Sequence, residues 1–420
     1  FCCYWLIFAV PVVSSIFGFL GLAWCCIVLR RRARAQHETM MEYAQKNTQL
    51  ESEIQKNAEW ANERKEYLER FNEEMKDEWE VERRFVDVDW TIELGNGAFG
   101  KVYKGTLPTD KLPSKSSESV IQVSELKKND EKIAVKMLHE SADRSTILAF
   151  LDEIELMKSI GYHERLVNLL ACVTESEPRM LIVELCSQGD LLRYMTQRRE
   201  YMLRLREGEV ADYNLVITHK QQFVFAVQIA SGLEFLSHRG FVHRDIAARN
   251  ILVNRNDSLK IGDFGLCRKI EENDGMYLSR GGRLPIKWMA PEALKDYEAS
   301  TASDVWSFGV LLFEIVTLGG SPYAGWNIAE ILLRLERGER MERPDECNDE
   351  MHETMQSCWK FNPKQRPDFT ELRIKLGSAL EKVADDNYYL QLDGRKEYYL
   401  VSNEKKERRE ETTLQEESEL

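Results

Sequence analysis

The sequence predicts a two-lobed α+β domain, preceded by a single transmembrane helix and a charged helical segment. An uncharged apolar stretch near the N-terminus predicts the transmembrane helix, and a highly charged stretch almost without Gly or Pro predicts the helical segment. From residue 85 to about residue 380, apolar runs alternate with Gly and Asp, as in domains that mix strands and helices. A chain of 420 residues with 43% hydrophobic side chains has room for such a domain and its flanking segments.

Charge and cysteine usage argue against two kinds of site. The net charge of −14 argues against nucleic acid as a main partner, because a phosphate-binding surface requires a basic excess. The nine cysteines show no CxxC or Cys/His spacing, so a zinc site is not expected. The scattered downstream thiols suit a reducing cytosol: Cys172, Cys186, Cys267, Cys347 and Cys358.

The N-terminal apolar stretch covers residues 4–29 and leaves residues 1–3 as an extracellular remnant. As a helix it would be about 39 Å long, enough to cross a hydrocarbon core of about 30 Å with some tilt. Basic residues follow it directly, at Arg30, Arg31, Arg32 and Arg34. By the positive-inside rule the downstream chain is cytoplasmic, which predicts a single-pass protein of the cell membrane. A secretory signal is the alternative, but it would be shorter and carry its basic residues in front.

Residues 30–84 are predicted to form a helical juxtamembrane segment. Within residues 36–84, apolar side chains recur in a three-four alternation at Tyr43, Leu50, Ile54, Ala61, Leu68, Phe71 and Met75. Asn47, Asn57 and Arg64 occupy the same register and dilute it. Two interpretations stay open: a long solvated helix, or a coiled coil that holds two chains together.

A glycine-rich motif opens the α+β domain, with the residues Gly95, Asn96, Gly97, Ala98, Phe99, Gly100, Lys101 and Val102. A dinucleotide-binding turn shares three of these glycines, but a helix would follow it directly. Here residues 102–105 continue as a strand, which predicts a hairpin flap over phosphate groups. Glycine suits that role because a side chain would keep the backbone away from the phosphate oxygens.

A lysine and a glutamate downstream are able to form the ion pair that holds nucleotide phosphates. Residues 133–136 read as a short strand that ends in Lys136, and residues 150–157 read as an amphipathic helix. Glu153 is preferred to Glu155 as the partner of Lys136, because Glu153 shares a helix face with the apolar residues three and four positions on.

The strongest chemical signal is the segment FVHRDIAARN at residues 241–250, followed by KIGDFG at residues 260–265. Phosphoryl transfer needs an oriented acceptor hydroxyl, a proton acceptor and two metal ions that bridge the phosphates. Asp245 is the predicted proton acceptor. Asn250 and Asp263 offer the hard oxygen ligands that suit Mg²⁺.

On these motifs, residues 85–380 resemble a protein kinase domain, and specifically that of a receptor tyrosine kinase. Ala247 stands where serine/threonine kinases carry lysine, and Arg249 is placed as in receptor tyrosine kinases. The tyrosine-kinase pattern continues at residues 283–292, Cys358-Trp359 and residues 366–369. Residues 163–170 are most similar to the fibroblast-growth-factor and platelet-derived-growth-factor receptor types.

The resemblance implies a site for ATP and Mg²⁺. Its nucleotide-binding residues would be Leu94, Gly95, Asn96, Gly97, Ala98, Phe99, Gly100, Lys101, Val102, Lys136, Glu184 and Cys186. Its catalytic residues would be Asp245, Arg249, Lys136 and Glu153. Residues 181–186 would be the hinge, whose backbone bonds adenine. The resemblance also implies structural roles for a Glu292–Arg366 pair and for Asp304, which would anchor the catalytic loop.

Together these inferences predict a membrane-anchored protein-tyrosine kinase that modifies protein substrates, itself among them, in signalling. Tyr277 is the expected regulatory residue, with its phosphate paired to Arg244 and Arg268. The alternative is a catalytically weak scaffold of kinase fold whose phosphotyrosine tail docks adaptor proteins. That alternative predicts the loss of a phosphate- or metal-handling residue, and none is lost.

The charged C-terminal tail, residues 381–420, is predicted to be disordered. Two tyrosine pairs flanked by acidic residues, at 388–389 and 398–399, suit phosphorylation and capture by arginine-bearing pockets of adaptors. Cys267 stands where alanine is usual, and Tyr277 stands alone where many relatives carry a pair. The sequence therefore leaves the regulation open.

Overall fold

The computed structural model describes residues 77–97, 100–113, 131–205, 212–270, 284–296, 298–383, 390, 392–393 and 395–399, with Trp24, Arg30 and Arg31. The chain divides into two units, Phe1–Asp77 and Glu78–Leu420. In the described part, no helix is both long enough and apolar enough to cross a membrane. The predicted span at residues 4–29, apart from Trp24, lies outside the described residues, and so does most of the predicted juxtamembrane helix. Both stay predictions.

The N-terminal lobe is built on one antiparallel sheet of five strands in the order β1-β2-β3-β5-β4. The strands are β1 (Asp87–Asn96), β2 (Gly100–Leu107), β3 (Glu131–Leu138), β4 (Leu169–Val173) and β5 (Met180–Glu184). Helix α1 (Arg144–Ile160) begins where the Asp143 side chain accepts a hydrogen bond from Thr146 N, which satisfies one free donor of its first turn. It buries Ile154 and Met157 against the core.

The residues before β1 correct two predicted boundaries, the helix to residue 84 and the domain start at residue 85. Val81 N donates to Cys172 O at 3.0 Å, and Cys172 N donates to Trp79 O at 2.8 Å. The Glu80 carboxylate accepts hydrogen bonds from Thr174 N and Thr174 Oγ1, at 2.7 and 2.9 Å. Because β4 is the edge strand, it has free backbone groups to offer, and residues 79–81 pair with it rather than form a helix.

The C-terminal lobe is mainly helical. Its helices are α2 (Leu191–Arg204), α3 (His219–His238), α4 (Pro291–Lys295), α5 (Thr301–Val316), α6 (Ile331–Glu336), α7 (Asp349–Cys358) and α8 (Phe369–Lys382). Short 3-10 turns occur in the N-terminal lobe at Arg83–Phe85 and Thr109–Lys111. In the C-terminal lobe they occur at Tyr213–Leu215, Ala248–Asn250, Arg255–Asp257, Ile286–Trp288, Ile328–Glu330 and Pro363–Gln365. Helix α5 is buried from Ser303 to Val316, because its sequence is apolar on nearly every face.

Two small antiparallel pairs carry the predicted catalytic segments. One joins β6 (Phe241–Val242) to β9 (Arg268–Lys269), and the other joins β7 (Ile251–Val253) to β8 (Leu259–Ile261). The catalytic loop runs from β6 to β7, and the KIGDFG segment begins in β8 and continues beyond its end. The predicted two-lobed α+β fold is thereby confirmed.

Part of the C-terminal tail is packed, so the prediction of disorder from residue 381 does not hold throughout. Helix α8 extends to Lys382, and Leu390 and Tyr399 are 4% and 2% exposed. Leu392 and Tyr398 pack against the same apolar core. The burial of these apolar side chains favours the packed position of the residues that carry them. The predicted docking pair at 388–389 lies outside the described residues.

Candidate active site

Strand β3 and helix α1 bring the predicted ion pair together. Lys136 Nζ lies 2.7 and 2.8 Å from the two carboxylate oxygens of Glu153, and 3.8 Å from Asp263 Oδ1. Burial opposes the charged form of Lys136, but Glu153 and Asp263 outweigh it, so the pKa of Lys136 is raised and its ammonium stays charged. Glu155 is exposed and pairs with Lys158 at 2.6 Å, which decides between the two glutamates in favour of Glu153.

The glycine-rich motif forms the predicted hairpin. In the β1–β2 pairing, Gly95 lies opposite Val102 and Asn96 lies opposite Lys101. Lys101 pairs with Glu93 at 3.1 Å. The remaining members of the predicted set are Leu94, which is exposed, and Ala98 and Phe99, which lie outside the described residues.

The glycines of this flap leave room for a phosphate group. A Cβ added at Gly95 would meet nothing within 4 Å, and one added at Gly97 would meet only Gly100 O, at 3.7 Å. Gly100 has a different reason to be glycine, because a Cβ there would overlap the Met137 carbonyl of β3. The open face at Gly95 and Gly97 therefore fits a nucleotide phosphate, while Gly100 serves the packing of the sheet.

The catalytic loop places Asp245 beside Arg249 and Asn250. The Arg249 guanidinium pairs with the Asp245 carboxylate, and Asn250 Nδ2 donates to Asp245 O at 2.7 Å. Because the amide nitrogen of Asn250 is used in this bond, its oxygen is the atom that can coordinate a metal. Arg249 also lies over the Trp288 ring, 4.5 Å from the ring centre.

The second predicted metal ligand stands next to the catalytic loop. Gly262 N donates a hydrogen bond to Asn250 O at 2.8 Å. Asp263 directly follows Gly262, so it lies next to the catalytic loop. The Asp263 side chain is 54% exposed, on the side of Lys136, whereas the next residue, Phe264, is buried against His243. Asn250 and Asp263 supply only oxygen donors, and these donors fit Mg²⁺.

Asp304 of α5 holds the start of the catalytic loop. Its carboxylate accepts hydrogen bonds from His243 N at 2.7 Å and from Arg244 N at 2.9 Å. Burial raises the pKa of Asp304 to about 6, although the hydrogen bonds and the nearby charges of His243 and Arg244 lower it. The anchoring role that the resemblance implied is therefore present in the geometry.

Glu314 of α5 holds the other end of the loop, and the sequence reasoning missed it. Its Oε2 accepts hydrogen bonds from Ala248 N and from Trp288 Nε1, both at 2.9 Å. Burial raises the pKa of Glu314 to about 7, although these hydrogen bonds lower it. Its sequence signal is an acidic residue within the apolar run from Phe308 to Val316, because a buried carboxylate requires hydrogen-bond donors.

The hinge carries a second polar cluster that the sequence did not reveal. The Glu184 carboxylate accepts hydrogen bonds from Asn168 N at 2.8 Å, Asn168 Nδ2 at 2.6 Å and Lys260 Nζ at 2.9 Å. These bonds engage the side chain of Glu184, and Glu184 N donates to Asn168 O at 3.2 Å, so the residue is fixed at the end of β5. Burial raises the pKa of Cys186, the other hinge residue of the predicted set, to about 12.

One further element of the predicted pattern is seen in the helical lobe, and another lies outside the described residues. Arg366 donates to both carboxylate oxygens of Glu292, at 2.6 and 2.9 Å, as the resemblance implied. Tyr277 and residues 271–283 lie outside the described residues. Arg244 and Arg268, the expected partners of a phosphate on Tyr277, both precede that segment in the chain.

A five-stranded lobe with a Lys–Glu pair, joined to a helical lobe with an Asp/Asn loop and a second Asp, defines a protein kinase. The family model for protein tyrosine and serine/threonine kinases matches residues 88–376. The chain therefore belongs to this family, and the class of phosphotransferase predicted from the sequence is confirmed at that level.

Similar proteins narrow the resemblance to receptor tyrosine kinases. The fibroblast growth factor receptor of Hydra vulgaris is 40% identical over 314 residues, which cover 74% of this chain and 35% of that protein. Fibroblast growth factor receptor 1 of Xenopus laevis is 38% identical over 295 residues, 70% of this chain and 35% of the receptor. A Caenorhabditis elegans protein whose name places it among the tyrosine-protein kinases is 37% identical over 326 residues, 77% of this chain and 37% of that protein. The chain spans about a third of the length of these relatives.

Proposed function

We propose that the chain is a membrane-anchored receptor protein-tyrosine kinase that transfers the γ-phosphate of ATP to tyrosine hydroxyls of proteins, including its own. The observation that carries the proposal is the Lys136–Glu153 pair, formed beside Asp263, whose neighbour Gly262 is hydrogen-bonded to Asn250 of the loop that carries Asp245. These groups are the ones that phosphoryl transfer requires.

Each residue has a role that its contacts support. When bound, ATP with Mg²⁺ would supply the phosphoryl group and neutralise its charge. Lys136 would hold the phosphates, while the Asn250 oxygen and the Asp263 carboxylate would hold Mg²⁺. Asp245, fixed by Arg249, would orient the tyrosine hydroxyl and accept its proton.

Tyrosine specificity is supported by the contact between the catalytic loop and the segment at residues 284–290. Arg249 stacks on Trp288, and Lys287 donates to Pro322 O at 2.8 Å, so both loops are tied to the body of the lobe. A substrate backbone on this platform would present a long phenol side chain to Asp245, whereas serine would fall short.

The test is a substrate comparison with the purified chain in detergent, supplied with ATP and Mg²⁺. We expect phosphorylation of a poly-Glu/Tyr polymer and none of a serine-only peptide. Phosphoserine as the main product would overturn the tyrosine assignment. The scaffold alternative is not favoured, because the groups that it predicts to be lost are in place: Lys136, Glu153, Asp245, Asn250 and Asp263.

Membrane anchoring and self-association are supported by the sequence. The apolar stretch at residues 4–29 followed by arginines fits a single span, and the segment at residues 36–84 fits either a solvated helix or a coiled coil. The tail tyrosines fit capture by phosphotyrosine-binding adaptors.

A further inference from the structure

Leu390, residues 392–393 and residues 395–399 of the tail lie against the C-terminal lobe, and we call these residues the tail latch. Within it, Leu390 and Tyr399 are 4% and 2% exposed. The Tyr398 ring meets Phe313 of α5 edge-on, with ring centres 5.8 Å apart. The Arg199 guanidinium of α2 lies over the Tyr399 ring, 4.6 Å from its centre. Both tyrosine rings are therefore held by residues of the helical lobe.

Polar contacts fix the register of the tail latch. Ser321 N donates to Tyr398 O at 2.7 Å, and Lys396 Nζ pairs with Asp345 at 2.6 Å. Tyr399 N donates to Lys396 O at 2.9 Å, which closes a turn between them. Backbone and side-chain bonds act together here, so the contact is specific to this stretch of the tail.

We propose that Tyr399 is a phosphorylation site concealed by the docked tail latch, and that its phosphorylation holds the latch in the released state. The proposal rests on the tyrosine kinase activity proposed above. In the reaction, the Tyr399 hydroxyl oxygen forms a bond to the γ-phosphorus of ATP, and the bond from that phosphorus to the β–γ bridging oxygen breaks. ADP leaves, and the phenolic proton passes to Asp245 of a second copy of the chain.

The buried position of Tyr399 makes docking and phosphorylation mutually exclusive. A ring that is 2% exposed has no path to an active site, so the latch has to open before transfer. The phosphate then adds about −1.5 to −2 charges, which a buried site tolerates only with several donors. The Arg199 guanidinium lies over the ring face, and its Nη1 donates to Leu318 O at 3.3 Å. Reclosure would bury the phosphate, so the modified latch stays open.

Release would also expose the acid-flanked motif at residues 397–400. In the docked state its backbone is bonded to Ser321, and its tyrosine rings are packed on the lobe. A phosphotyrosine-binding domain needs an extended peptide and a free phosphate. When two copies of the chain meet, phosphorylated Tyr399 would thus recruit an adaptor only after the tail latch has opened.

The first test follows the rates of individual tyrosines by mass spectrometry in the full chain with ATP and Mg²⁺. We expect Tyr399 to be modified at least about tenfold more slowly than Tyr389, because opening costs energy. Asp345→Lys, at an exposed position, should repel Lys396 and raise the Tyr399 rate about threefold or more, leaving the Tyr389 rate unchanged. Glu353→Lys makes the same charge change at an exposed position of α7 and should alter neither rate.

Equal rates for Tyr389 and Tyr399 in the wild type, or no response of Tyr399 to Asp345→Lys, would overturn the proposal. A separate arm uses the full chain with Asp245→Asn and an added tyrosine kinase. If that kinase modifies Tyr389 quickly and Tyr399 slowly, concealment of Tyr399 by the tail latch is supported, even if the chain does not phosphorylate itself. Hydrogen exchange at the Ser321 amide should become faster once Tyr399 carries phosphate. Unchanged protection of that amide would show that the modified tail still docks, against the proposal.

Discussion

Among single residues, Asp245 is expected to act in the transfer step and not in ATP binding. Its carboxylate is held by Arg249 and does not contact the Lys136–Glu153 pair that is expected to bind phosphates. Asp245→Asn should therefore lower turnover about 10²- to 10⁴-fold and leave ATP affinity nearly unchanged. Turnover is measured with the poly-Glu/Tyr polymer and ATP affinity by calorimetry. Loss of nucleotide binding in a normally folded variant would show that this role is misassigned.

The burial of Glu314 predicts that the stability of the chain depends on pH. Its pKa is about 7 in the folded chain against 4.5 for an ordinary glutamate, so between these values the folded state holds a proton that the unfolded state has lost. Stability should therefore fall as the pH rises through this window and level off above it, by about 3 kcal/mol in total at 1.36 kcal/mol per pKa unit.

The measurement is urea unfolding of the wild type and of Glu314→Gln between about pH 5 and about pH 8. Glutamine does not titrate, so its cost in hydrogen bonding is constant with pH. The wild type should lose about 2 to 3 kcal/mol relative to the variant over this range. A difference that stays flat with pH would show that Glu314 does not change its charge there.

At the scale of elements, the β2–β3 contact of the glycine flap separates packing from ligand binding. Gly100→Ala would drive a Cβ into the Met137 carbonyl, so the strands would have to part, at a cost of about 2 to 3 kcal/mol in stability. Gly97→Ala is the matched control, because its Cβ would meet only Gly100 O at 3.7 Å.

The two variants are compared by their free energy of unfolding in denaturant and by their KM for ATP. Gly97→Ala should keep its stability within about 0.5 kcal/mol and raise the KM for ATP, because the added methyl enters the space facing the phosphates. Equal loss of stability in both variants would contradict the distinction between the two glycines.

For the whole molecule, activation requires two kinase domains to meet if each is to phosphorylate Tyr277 of the other. Confinement to a bilayer raises their effective concentration, and a coiled coil within residues 36–84 would add a contact between copies. Replacing Leu50, Ile54 and Leu68 by Asn should lower basal Tyr277 phosphorylation in membranes. A fragment that begins at Glu78 lacks the three replaced residues and all of the segment up to residue 77, and it gives the basal rate without them.

Two results would contradict this account of activation. One is a peptide of residues 36–84 that stays monomeric and without helix at every concentration tested by sedimentation and circular dichroism. The other is a Tyr277→Phe enzyme that reaches full activity after incubation with ATP, since the phosphate on Tyr277 is expected to pair with Arg244 and Arg268.

Residues in short motifs could be predicted from the sequence, whereas contacts between residues far apart in the chain could not. The roles of Lys136, Asp245, Asn250 and Asp263 could be predicted from the sequence, because phosphate and metal chemistry restricts the residue types and their spacing within short motifs. These roles stay predictions. Helix periodicity also favoured Glu153, and its contact with Lys136 bears this out. The two-lobed α+β fold followed from the order of such segments along the chain.

The family, the fold and the groups expected to handle phosphate and metal could all be inferred from short stretches of sequence. Three contacts could not: Glu314 ties the catalytic loop to Trp288, residues 79–81 join the edge strand β4, and the described part of the tail packs on the C-terminal lobe. The physical reason is distance along the chain. A buried carboxylate, a free strand edge and the apolar side chains of the tail each find partners many residues away, and no local periodicity or motif records which partner that will be.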